Sequence, residues 1–158
     1  MDYDNTSDLK VVSALLPASY TTDQTSTALN TANYPYKALS LVLHLGIGGI
    51  TFSATNRVDF KLTHSDDDDT YVAVDEGDVV LPYPDVVATG GIVKSLIAAH
   101  AAAESIVVGY RGKKQYVKVM TDFGGTHGAG TIFGISWLLT HPMSAPTWQA
   151  AVTDRPQV

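Results

Sequence analysis

Apolar and polar positions alternate with period two along most of the chain, the pattern of half-buried β-strands. Between Ser105 and Met120, Ile106, Val108 and Tyr110 alternate on one side, then Tyr116, Lys118 and Met120 alternate against Val117 and Val119. Arg111-Gly112-Lys113-Lys114 separates the two runs, and the stretch is predicted to be a hairpin with a tight basic turn, Gly112 supplying a positive φ. Ala38–Leu45 sets Leu39, Leu41, Leu43 and Leu45 against Ser40, Val42 and His44, a core strand. In Arg57–His64, Val58, Phe60 and Leu62 face inward and Arg57, Asp59, Lys61 and Thr63 outward. Thr70–Val74 returns as its hairpin partner across Ser65–Asp69. Thr131–Thr140 is a last strand that turns Phe133, Ile135, Trp137 and Leu139 into the core.

The remaining segments are shorter. Leu9–Leu16 is a first strand or edge segment stopped by Pro17, and Ser19–Asn33 is an exposed loop with at most a short strand. Val79-Val80-Leu81 forms a short strand, and Pro82 and Pro84 stiffen the connector that follows. The alanines of Ile97–Glu104 favour one or two helical turns, and the four glycines of Thr121–Gly130 form a loop. About seven short strands without crossover helices predict an all-β fold, an antiparallel β-sandwich of jelly-roll type. Residues 9–147 form the sandwich, 1–8 an N-terminal arm and 148–158 a C-terminal tail. Trp148 either docks on a neighbouring molecule or folds back on its own domain.

At 158 residues the chain has room for one core. Charged residues make up 16%, against about 25% in an average soluble domain, which suits a surface largely covered by partners. A net charge of −6 argues against a nucleic-acid or anionic-membrane binder. No cysteine is present, so disulfides and thiolate chemistry are excluded. The opening MDYDNTSDLK lacks a basic and then apolar leader, and no apolar run approaches the ~20 residues of a membrane helix. The expectation is a soluble protein made in the cytoplasm.

Candidate chemistry is sparse. Gly46, Gly48 and Gly49 run into the β-like Ile50-Thr51-Phe52-Ser53, whereas a phosphate loop opens a helix. Asp66–Asp69 could gather Ca²⁺, but the sixth and twelfth positions counted from Asp66 hold Tyr71 and Gly77 where a calcium loop needs glycine and glutamate. A solvated turn capped by Asp fits better. His44, His64, His100, His127 and His141 show no zinc-ligand spacing, no nucleophile elbow appears, and no carboxylate pair stands out. These observations point to no enzyme, no cofactor and no metal, with His64 or His127 beside carboxylates as the only catalytic alternative.

Three segments together resemble a family of small tailed-phage virion proteins. Residues 65–72, SDDDDTYV, resemble its SDD…TF/TY-x-x-V hairpin, residues 109–119, GYRGKKQYVKV, its GY-x-G-x-K-R-Y-V-R-V hairpin, and residues 141–146, HPMSAP, its closing G-H-P-x-x-A-P. Gln115, Lys118 and Thr140 depart from that pattern. The resemblance implies a head-associated jelly roll, a decoration or cement protein on the capsid surface that binds the phage major capsid protein and self-associates as a dimer or trimer. A tail- or fibre-associated jelly roll binding host glycans is the alternative. Arg111, Lys113, Lys114, Tyr116 and Trp148 are the interface candidates, with a solvated hairpin tip as the competing role for the three cations.

Overall fold

A computed structural model describes residues 8–47, 52–82, 87–98 and 102–143. The strands are β1 (Leu9–Tyr20), β2 (Gln24–Thr25), β3 (Leu29–Asn30), β4 (Tyr36–Leu45), β5 (Arg57–Ser65) and β6 (Val72–Ala73). They continue with β7 (Val79–Val80), β8 (Ile92–Leu96), β9 (Glu104–Tyr110), β10 (Tyr116–Gly124) and β11 (Thr131–Pro142). Two antiparallel sheets pack face to face. One runs β1-β11-β4-β9-β7; in the other β10 lies between β5 and the short β2 and β3, and β5 pairs β6 and β8 on its far edge. The longer strands switch sheet at nearly every connection, and the first and last are neighbours in one sheet. This is the wrapping of a jelly roll. No helix among the described residues is long and apolar enough to cross a membrane.

The alternating leucines of β4 put Leu41 and Leu43 out of contact with solvent, and β11 does the same with Phe133, Ile135 and Trp137. From the opposing sheet come Val58, Phe60, Leu62, Val117 and Val119, so the core is built from the inward faces that period two predicts. Phe60 meets Phe133 edge to face at 5.3 Å between centroids. The β5–β6 hairpin forms as expected, in the register His64 to Val72. β5 is more deeply buried than a half-exposed strand, however. Asp59 is enclosed by Arg57 at 3.0 Å and by the Ser95 hydroxyl at 2.5 Å, and this pairing is what makes a buried carboxylate tolerable.

Four expectations are corrected. Ser105–Met120 is not a hairpin: β9 pairs β4 and β7 in one sheet, while β10 pairs β5, β2 and β3 in the other. Pro17 does not stop the first strand, which runs to Tyr20 through register shifts between Ser13 and Ala18. An edge strand tolerates a proline at such a bulge because one side of it has no ladder to serve. The Ile97–Glu104 segment shows no helix at its described residues, and Glu104 already opens β9. Thr121–Gly124 belongs to β10, not to a loop. Of the glycine run after β4, Gly46 donates its N–H to the Ile132 carbonyl at 2.7 Å, and Gly48 and Gly49 lie outside the described residues.

Candidate functional site

The five residues Arg111–Gln115 carry the chain from one sheet to the other. The Arg111 and Gly112 N–H groups both donate to the Asp78 carbonyl, at 2.6 and 3.1 Å, which ties the start of the crossover to the loop before β7. Gly112 does not adopt a positive φ. It is needed for space: a Cβ there would sit 2.4–2.6 Å from the Oη, Cζ and Cε2 atoms of Tyr110, whose ring lies back across it.

That ring position aims the Tyr110 hydroxyl at buried His64, 3.0 Å from Nδ1. The backbone N–H of Lys114 donates to the same hydroxyl. The Tyr110 hydroxyl is thus held between the Lys114 N–H and His64 Nδ1, and His64 Nε2 lies 3.8 Å from the Asp78 carboxylate. Burial pushes the Tyr110 phenol up to about 12, the Asp78 and Asp66 charges adding to this and the Lys114 N–H opposing it. The Tyr110–His64 bond and the two N–H bonds to the Asp78 carbonyl hold the crossover in place.

Beside them lies the β5–β6 tip. Asp67 Oδ1 accepts from the Ser65 hydroxyl at 2.7 Å and from the N–H groups of Asp69 and Thr70 at 3.0 and 2.9 Å. Asp68 occupies the left-handed region at φ 61°. The Tyr71 hydroxyl donates to Asp68, and burial, reinforced by Asp68, pushes that phenol well above its usual range. Lys118 places its ammonium 3.7 Å from the Tyr71 ring centroid. Lys114 pairs with Asp66. The basic crossover and the acidic tip thus bind each other. Among the described residues no three of the His, Asp and Glu side chains gather as metal ligands would.

The Asp67 bonds all favour the carboxylate and hold it down to about 2, against 3.8 for an ordinary aspartate. Because the folded value is the lower one, the support it gives the tip is complete above 3.8 and is lost as pH falls through 2. A carboxyl-carbon NMR titration should show Asp67 with its midpoint near 2; a midpoint close to 3.8 would mean the tip is not held this way.

The five interface candidates are therefore unequal. Arg111 is exposed, with Nη2 3.4 Å from the Val79 carbonyl. Lys114 is engaged by Asp66, and Lys113 is exposed with no partner among the described residues. Tyr116 is half-buried between Ser65 and Asn30 in the sheet, and Trp148 lies outside the described residues. The reading of the sequence missed Asp78 and the joining of Tyr110 to His64; a tyrosine two residues before a glycine at a strand end was the available signal. His127 is buried at the far end of β10, bonded to the Gly124 carbonyl at 2.8 Å, and so is not brought to His64.

A second feature is the outer face of the five-stranded sheet. One row across it reads Val11, Leu138, Ser40, Gly109, Val80 and the next Ser13, Ser136, Val42, Val107. Within the five strands, no residue at an outward position is Asp, Glu, Lys or Arg, although the chain has 16 acids and 10 lysines and arginines. His44 lies there with its Nδ1 3.1 Å from the Ser105 hydroxyl. The other sheet presents Arg57, Lys61, Lys118 and Asp122 outward, with Lys61 paired to Asp122 at 2.5 Å. No protein-family model matches this chain, and no curated protein matches it.

Proposed function

We propose that this chain is a structural virion protein of a tailed phage, a decoration or cement protein that binds across neighbouring major capsid subunits on the head surface. One observation carries the reading: the described parts of the segments that resemble the virion family, far apart in sequence, gather at one end of the sandwich. Asp66 and Tyr71 of the first contact Lys114 and Lys118 of the second. Pro142, from the third, pairs with Tyr36 at the same end of β4 where Leu39 faces Tyr110. Three segments distant in sequence and brought to one end of the sandwich suit a docking end. The work is then burial and shape complementarity against the capsid, with Lys113 and Arg111 as the cations able to meet acidic capsid groups.

Cryo-electron microscopy of the phage particle should place the sandwich on the outer head with this end against the capsid. Density in the tail instead would refute the decoration role and favour the glycan-binding alternative. Lys113→Glu, which disturbs no internal pair, should weaken capsid binding roughly 5- to 30-fold, an exposed attraction of ~1 kcal/mol becoming a repulsion of similar size. Full capsid occupancy by that variant would return the crossover to the status of a solvated turn.

A further inference from the structure

We propose that the uncharged outer face of the five-stranded sheet is the contact between two copies of this chain, paired face to face about a two-fold axis. The pairing stands apart from the capsid reading, which concerns the end of the sandwich, because it rests on the composition, exposure and extent of the sheet face alone.

Three observations select a second copy as the occupant. The first is charge. Each chain carries a net charge of −6, so two copies repel wherever their charged surfaces approach. This face opposes no like charges when it meets itself, whereas the outer face of the other sheet would set Lys61, Lys118 and Asp122 against their counterparts. The second is exposure. Val11, Val80, Val107 and Ile132, all on this face, are 59%, 48%, 47% and 52% exposed. A two-fold contact sets the same patch of both copies together, so these side chains would meet one another instead of water. The third is size. A strand spacing of about 4.8 Å and a rise of about 3.3 Å per residue give a face of roughly 20 by 25 Å. Pairing therefore removes on the order of 1,000 Å² from the two copies together, in line with the roughly 1,000 Å² expected of a specific contact.

Sedimentation of the full chain tests this. The wild type should run as a dimer. Val107→Lys and Ser13→Lys, both at exposed positions of the face, should weaken the dimer on the order of 100-fold, since each buries an ammonium without a partner. Both variants reduce the net negative charge, so weaker association cannot be ascribed to greater overall repulsion. Met120→Lys adds the same charge to the outer face of the other sheet and should leave the dimer intact. Unchanged circular dichroism spectra establish that the variants fold, and Ser13→Lys, at the edge strand, serves where Val107→Lys does not. A wild-type monomer at high micromolar concentration overturns the proposal. So does a trimer, or a dimer that survives in a folded variant, or a monomer that reaches capsids through this face.

Discussion

Trp137→Ala should lower the stability of this fold by about 3–5 kcal/mol and its melting temperature by roughly 6–20 °C. Trp137 is 1% exposed and stands in the middle of β11, the strand held by β1 on one side and β4 on the other. Removing the indole leaves a cavity that neither neighbour can close without giving up its ladder, so lost burial and unfilled volume add. The control is Met120→Ala, at a 37% exposed position on the other sheet's outer face, where truncation should change stability by no more than about 0.5 kcal/mol. Thermal and urea melts at low protein concentration compare the two. Equal losses would mean that β11 is not the centre of the core.

Gly91→Ala should be the most damaging of the glycine replacements, at about 2–5 kcal/mol. Two penalties combine. Gly91 has φ +75°, where a Cβ costs ~1–2 kcal/mol. That Cβ would also lie 2.5 Å from the Leu62 carbonyl oxygen. Leu62 cannot simply retreat, since its carbonyl accepts from Val74 N–H and its own N–H donates to the Gly91 carbonyl at 2.9 Å; forcing the backbone aside adds a further ~1–3 kcal/mol. Gly128→Ala, in open space, should be near neutral. Urea midpoints that coincide for the two variants would contradict the close approach of the Gly91 loop to β5.

Period two identified β4, β5 and β11 and nearly all of the core, because alternation is a direct record of which face each residue presents. It carries no record of the partner strand. Ser105–Met120 therefore looks like a hairpin in sequence while its halves belong to different sheets, and only the packing of Tyr110 over Gly112 and the Asp78 carbonyl explains why five residues cross the gap. Gly112 was legible as a special position and misassigned in cause, since sequence does not distinguish a glycine chosen for its φ from one chosen to admit a ring. Asp59 was hidden because a polar residue at an outward position reads as solvent-facing unless its partner, here Ser95 from a distant segment, is known; His64 sits at an inward position, but alternation does not name its partner Tyr110. The uncharged sheet face was legible in principle, since 38–44, 105–109 and 132–140 each lack charge at the outward positions. Its extent depends on the strand order that sets those rows side by side.

The pairing of β1 with β11 also governs when the fold can form. Leu9 lies opposite Thr140, and β11 is the neighbour of both β1 and β4. While the chain is being synthesised, the first strand has no ladder to join and the leucine strand lacks one of its two, so the five-stranded sheet cannot close until residues 131–142 have emerged. Loop closure over more than a hundred residues makes this a slow, late step. The bulges and Pro17 in β1 then serve the nascent chain, keeping a long unpaired strand from recruiting another chain before its own partner exists.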